Sequence, residues 1–306
     1  MTVNILKVAT RKSPLALWQA NAVKQQLQIH YPQLRIELVG LVTAGDNRTD
    51  VELTQLGGKS LFVKELQSAL LEGAADIAVH SVKDMSVNPT PGLILSAVCR
   101  REDPRDALIA NRVARWQDLA PGAIIGTASP RRQCQLQALR PDVIIKPLRG
   151  NVGTRLAKLD HGDFDAILLA CAGLKRLGLE GRISQYLEFL EFIPAIGQGA
   201  LGIECRSDDT ATQTLIQCLD DENTHQCIKA ERAVNARLGG DCYTPIGAFA
   251  QINGALLTLH GVIGSLDGRI LLKERVSGDA IRAEAIGVEL AEKLLALGAG
   301  ALCRKS

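Results

Sequence analysis

NILKVATRKSPLALWQANAVKQQLQ, residues 4 to 28, sets the reading of the whole chain. NILKVAT is a short apolar β-type run, and the residues after it recur with the period of an amphipathic helix. Between them, Ser13 has the chemistry of a helix N-cap. Pro14 suits the first helical position, where a missing N–H costs nothing. The same order returns over residues 123 to 139, AIIGTASPRRQCQLQAL. Strand, Thr10, Ser13-Pro14 and helix become strand, Thr127, Ser129-Pro130 and helix. A second echo sets LEGAADIAVHS (71–81) beside LDHGDFDAILLA (159–170). Self-similarity of this kind predicts two similar α/β lobes, the first longer by roughly 25–30 residues.

Working outward, RIELVGLVT and DIAVHS read as strands and LFVKELQSALLEG as a helix. VIIKPLR, NVGTRLAKLDHG and AILLA continue the alternation in the second half. Strand–helix alternation implies an α/β fold with mostly parallel or mixed sheets, here in two similar lobes around a cleft. The first lobe is expected over 1–99, completed by 200–217, and the second over 105–193. RREDPRD (100–106) reads equally as the passage between them or as a solvated charged surface, and glycine-rich PAIGQGALG (194–202) reads as a second hinge. From about residue 222 the pattern changes. A helix, HQCIKAERAVNARL, is followed by strand-like runs separated by Asn-Gly and Asp-Gly turns, which favour hairpins, and by a last helix. Residues 222–306 are therefore expected to form a smaller α+β C-terminal domain.

The 306 residues carry a formal net charge of +2 and only 3% aromatics. That excludes the bulk positive field and stacking platforms of nucleic-acid binders. No run approaches the roughly 20 apolar residues of a membrane span. The N-terminal residues lack the apolar core of a signal peptide, so a cytoplasmic location is expected, with no membrane or nucleic-acid partner. Eight cysteines then belong to a reducing compartment, and no C-x-x-C pair suggests a metal site. Most of them sit in apolar runs such as LLACAG and read as core fillers. Cys242 is the exception, because GGDCYTPIG (239–247) has the glycines and proline of an accessible loop.

The two Ser-Pro helix starts expose unpaired N–H groups, which bind anions readily. Arg11 and Lys12 stand beside the first, Arg131 and Arg132 beside the second. Arg149 and Arg155 flank GNVG after another strand, and Arg176 lies in AGLKRLGL after a fourth. In open parallel sheets the ligand crevice lies beyond the carboxyl ends of the strands, where the alternation puts all of these. Singly, each arginine is as well explained as a surface or capping charge. Together they imply a ligand with several carboxylates or phosphates, since the planar guanidinium pairs with such groups in a bidentate way. No phosphate-loop or dinucleotide fingerprint is present, so a nucleotide is not the favoured anion. VHSVKDM (79–85) brings Ser81, Lys83 and Asp84 to the same edge, where a carboxylate among cations could hold a cationic intermediate or pass a proton.

These stretches, with GGKSLFVKELQSALL, REDPRDAL, IGQGALGIECR and AERAVNARLGGDC, resemble the porphobilinogen deaminase family in order over nearly the whole chain. The resemblance implies a transferase that deaminates four porphobilinogens and joins them head to tail into hydroxymethylbilane, in tetrapyrrole biosynthesis. It implies a dipyrromethane cofactor on Cys242 through a thioether, with no metal, and Asp84 as the catalytic aspartate. Arg11, Arg131, Arg132, Arg149, Arg155 and Arg176 match the family's carboxylate-binding arginines. The cofactor would be held by Lys83, Asp84, Ser129, Arg131, Arg132 and Arg155. The substrate would be held by Arg11, Ser13, Lys59, Thr127, Arg149, Arg155 and Arg176. A monomer is expected.

The chain departs from the family pattern at Asp241, where glycine is common before the cysteine, and at Gln55, commonly lysine. Ser60 and Ser86 stand for a usual glycine and proline. Two readings from other classes compete with this one, and the residues count against both. A non-catalytic solute-binding protein also pairs two α/β lobes around an anion cleft. A thiol enzyme with a Cys–His pair would need a partner histidine that no motif places.

Overall fold

The computed structural model describes residues 5–43, 63–240 and 243–303. They divide into two compact units, 1–102 with 200–225 and 103–199 with 226–306.

The first unit is built on five strands: β1 (Ile5–Arg11), β2 (Arg35–Leu41), β3 (Ile77–Ser81), β4 (Leu93–Val98) and β10 (Leu201–Arg206). Their order is β2-β1-β3-β10-β4. β1 runs parallel to β2 and β3, whereas β10 is antiparallel to β3 and β4. Alternation along β1 separates the faces. Leu6 and Val8 pack with Ala20, Val23 and Leu27 of helix Pro14–His30. Ala9 packs on the other side with Leu66, Ala69 and Leu70 of helix Lys64–Leu71. Burying an aliphatic side chain contributes about 1.5–3 kcal/mol, so these two layers carry the unit.

The second unit repeats the plan with β5 (Asp106–Ala110), β6 (Ile124–Gly126), β7 (Ile144–Lys146), β8 (Ala166–Ala170) and β9 (Gln185–Leu187). Their order is β7-β6-β8-β5-β9, parallel across β7-β6-β8 and antiparallel at β5. The repeat reaches single hydrogen bonds. The Asp76 carboxylate accepts the Lys7 N–H at 2.7 Å, and the Asp165 carboxylate accepts the Ile124 N–H at 2.7 Å. In both units the fourth strand in the sheet is entered after a crossover. β5 follows β4 in the chain but joins the second sheet, and β10 follows β9 but joins the first.

The C-terminal region supplies helix Glu222–Leu238 and the antiparallel strands β11 (Ile246–Asn253), β12 (Leu256–Gly264) and β13 (Leu271–Asp279). The hairpins turn at Asn253-Gly254 and Asp267-Gly268, each glycine at positive φ, as the dipeptides predict. Helix Ala283–Ala296 covers the sheet with Ile286, Leu290 and Leu294. β11 also lies close against the second lobe. A Cβ at Gly247 would come within 2.8 Å of the Pro194 carbonyl and 3.0 Å of the Arg131 side chain, so only glycine fits there. Among the described residues, no helix is long and apolar enough to cross a membrane.

Candidate active site

Each unit presents a helix start at the carboxyl end of its parallel strands. In the first unit, Ser13 is the N-cap of helix Pro14–His30, and its hydroxyl accepts the Ala16 N–H at 3.4 Å. Thr10 is fully buried and donates to the Ala16 carbonyl at 3.1 Å, which pins the strand end to the helix. Arg11, between them, is half-buried. Gln19, one turn further along, donates to the Ser81 hydroxyl at 2.9 Å and so ties the helix to the end of β3. The chain then makes a 3₁₀ turn, Val82–Asp84, whose buried Val82 donates its N–H to the Ala200 carbonyl. Val82 faces inward, and Lys83 and Asp84 are left exposed on the turn.

In the second unit, Ser129 caps helix Pro130–Leu139 by accepting the Arg132 N–H at 3.4 Å. Thr127 is buried, and its hydroxyl accepts the Ser129 N–H at 3.2 Å. Arg149 and Arg155 are half-buried. Arg155 donates through Nε to the carbonyl of Gly150 at 2.7 Å, beside the helix that Asn151 caps.

Three of the arginines are not surface charges. Arg131, Arg132 and Arg176 are 4%, 6% and 9% exposed, and Asp106 beside the first two is completely buried. Asp106 Oδ2 accepts from Arg131 Nη1 at 2.8 Å. Asp106 Oδ1 accepts from Arg132 Nε at 2.9 Å, with Arg132 Nη2 at 2.7 Å. Arg131 Nη1 also donates to the Ile193 carbonyl and Arg132 Nη1 to that of Leu168, at 2.8 and 2.7 Å. Arg176 Nη2 donates to the Gly199 carbonyl at 2.7 Å. Burial alone would push the Asp106 carboxyl up. The two guanidinium charges outweigh it and hold the group well below the usual carboxylate range.

One carboxylate and two guanidiniums leave one net positive charge in a buried place. Arg131 Nε is buried there with no hydrogen-bond partner among the described residues. An orphaned donor in low dielectric is costly, and an anionic acceptor such as a carboxylate satisfies both the donor and the charge. The residues present therefore fit a carboxylate-bearing cofactor.

Asp106 and Gln198 are the members that sequence reasoning missed. Gln198 donates to Asp106 Oδ1 at 3.0 Å and to the Pro104 carbonyl at 2.7 Å. For Asp106 the signal was weak, an aspartate at the end of a charged run. For Gln19 and Gln135 a signal existed, since each stands six residues after its capping serine. Both are buried, and Gln135 pairs with the Ile193 N–H and carbonyl.

Seven cysteines lie in the described residues as free thiols, and Cys134, Cys171, Cys205 and Cys227 are buried. Burial pushes the Cys134 thiol up to about 11 and that of Cys171 up to about 12, which suits core fillers and not nucleophiles. Cys242, Asp241, Lys59, Gln55 and Ser60 lie outside the described residues. Among the described residues, no group of three His, Cys, Asp or Glu could hold a metal ion.

Two family models match in sequence order. Residues 6–214 match the model described as porphobilinogen deaminase, dipyromethane cofactor binding domain. Residues 225–296 match porphobilinogen deaminase, C-terminal domain. Curated proteins named porphobilinogen deaminase from Coxiella burnetii, strains Dugway 5J108-111 and RSA 493, are each 54% identical over 298 residues, 97% of this chain and 96% of theirs. Among solved structures, a periplasmic substrate-binding protein of an ABC transporter from Coxiella burnetii is similar at a TM-score of 0.44 and 14% identity. It covers 70% of this chain and 91% of its own. A nutrient binding protein from Burkholderia cenocepacia bound to methionine gives 0.45 and 13%, over 73% and 95%.

Proposed function

The chain belongs to the porphobilinogen deaminase family, and from that premise we propose that it joins four porphobilinogens head to tail into hydroxymethylbilane. The observation that carries this reading is the buried pair of arginines with one net charge and an orphaned Nε–H. Porphobilinogen carries an acetate and a propionate, so every added unit brings two carboxylates to be held. Bidentate guanidiniums at a helix start suit that load.

When bound, the dipyrromethane supplies the terminal pyrrole carbon to which the first substrate is joined. We assign its attachment to Cys242 as a thioether, with Ser129, Arg131, Arg132, Arg155 and Lys83 holding its carboxylates. Arg11, Ser13, Thr127, Arg149, Arg155 and Arg176 hold substrate carboxylates, and Lys59 adds a further cation. Asp84, exposed on its turn, accepts from pyrrole N–H groups. It also offsets the positive charge that develops on the substrate methylene as the C–N bond breaks and ammonia leaves. Its place on a short turn anchored by Val82 gives the carboxylate a fixed base.

We further propose three domains, 1–99 with 200–217, 105–193 and 222–306, acting in a monomer in the cytoplasm. Separate cores around Leu6, Leu108 and Leu290 support the division, and the free thiols support a reducing compartment.

The test is the intact mass of the purified protein. Two covalently attached pyrrole units are expected on the wild type and none on Cys242→Ser, because a serine hydroxyl is a far weaker nucleophile than a thiolate. A wild-type mass equal to the bare polypeptide would defeat the reading.

A further inference from the structure

We propose that Asp106 is a positioning residue for cofactor assembly, acting through the forks of Arg131 and Arg132. The inference rests on the function proposed above and adds to it a residue that never touches the ligand.

Each Asp106 oxygen serves one arginine, Oδ2 for Arg131 and Oδ1 for Arg132. Arg131 Nη1 donates to the Ile193 carbonyl as well as to Asp106, and the far side of the Arg132 fork, Nη1, donates to the Leu168 carbonyl. Every one of these groups is buried, so the geometry cannot be supplied by solvent. Asp106 is itself fixed. It opens β5, where it lies opposite Ala170, and Gln198 donates to its Oδ1 while also gripping the Pro104 and Arg105 carbonyls. Two adjacent guanidiniums without the carboxylate would repel each other in a low-dielectric place and lose the common point that aligns them. With it, the pair stays charged, aligned and one charge short of neutral.

The same strap of chain serves other parts of the site. Ile193 accepts from Arg131, and Gly199 accepts from Arg176. Gly197 donates its N–H at 2.7 Å to Glu231, a buried carboxylate on helix Glu222–Leu238, which precedes Cys242 in the chain. Glu231 also accepts the Ala250 N–H of β11 at 2.8 Å. Asp106 and Gln198 therefore sit where the arginine pair, the strap and helix Glu222–Leu238 are joined.

The experiment measures cofactor loading on the full-length chain made without porphobilinogen. Porphobilinogen is then added over a range of concentrations, and intact mass is followed in time. Asp106→Asn, Asp106→Glu and Gln198→Met are compared with wild type after each is shown to be folded by circular dichroism. Displacing the forks by on the order of 1 Å predicts loading slowed about a hundredfold in Asp106→Asn. The porphobilinogen concentration for half-maximal rate should rise, and Asp106→Glu should recover part of the rate. Gln198→Met introduces no buried charge imbalance and should shift loading in the same direction by a smaller factor, so it decides the matter if Asp106→Asn does not fold. A lowered melting temperature with wild-type loading per folded molecule, in either variant, overturns the proposal and leaves Asp106 structural. A wild-type chain that gains no pyrrole units overturns the function itself, and the inference with it.

Discussion

The two five-stranded sheets share one strand plan and differ in what they bury where the capped helix begins. Ser81 at the end of β3 lies opposite Leu201, and Ala170, its counterpart on β8, lies opposite Asp106. The helix after Ser13 begins Pro14-Leu15-Ala16, and the helix after Ser129 begins Pro130-Arg131-Arg132. Leu201, Leu15 and Ala16 thus stand where the second unit has Asp106, Arg131 and Arg132. In the first unit the helix is tied to the strand end by a neutral bond, Gln19 to Ser81. Its cations, Arg11 and Lys12, precede the cap. Its Lys83 and Asp84 are exposed. One scaffold therefore carries two chemistries, a buried charged floor suited to carboxylates and an open turn suited to an electrostatic partner for the reacting group.

The difference predicts unequal responses at matching places. Arg132→Leu takes the charged donors from Asp106 Oδ1 and another from the buried Leu168 carbonyl, and should cost about 3–5 kcal/mol of stability, read as a fall in the urea midpoint. Gln19→Leu, which removes a single neutral hydrogen bond, should cost about 1 kcal/mol. Equal losses would mean that the charged floor is no more than another tie. Next in size, Asp84→Asn should lower turnover about 10²–10³-fold while leaving the urea midpoint where it was, since an exposed side chain on a turn holds little of the fold. Turnover within a factor of a few of wild type would return Asp84 to the status of a surface charge. The smallest effect tests what the units share. Ser13→Ala and Ser129→Ala should each cost about 1 kcal/mol, and by similar amounts, because both hydroxyls cap one N–H at 3.4 Å.

The parallel strands β1, β2, β3, β6, β7 and β8 were legible in the sequence because each precedes or follows a helix with its own capping or periodic signal. The antiparallel strands of the two five-stranded sheets, β4, β5, β9 and β10, were not. They border charged or glycine-rich runs, and their pairing is decided by residues far along the chain. Asp106 went unread for the same reason. It lies 25 residues from Arg131, and only the antiparallel entry of β5 beside β8 brings the two within 2.8 Å. RREDPRD looked equally like solvated surface or a passage. In the structure it holds Asp103 between Arg105 and Lys175. Burial would raise that carboxyl, but the cations lower it to about 2. The arginines of the site were visible as residue types at strand ends. Their burial was not, because burial depends on the crossover strap from Ile193 to Gly199, whose glycines suggest freedom and whose hydrogen bonds remove it.

On the function proposed here, the second unit's buried arginines build and hold the cofactor while the first unit's Asp84 serves the reaction. The most direct measurement is the intact mass of Asp84→Asn and Arg132→Leu side by side, before and after limiting porphobilinogen. The account predicts that Asp84→Asn carries two pyrrole units and gains few or no more, while folded Arg132→Leu carries none. A bare Asp84→Asn beside a fully loaded Arg132→Leu would contradict it.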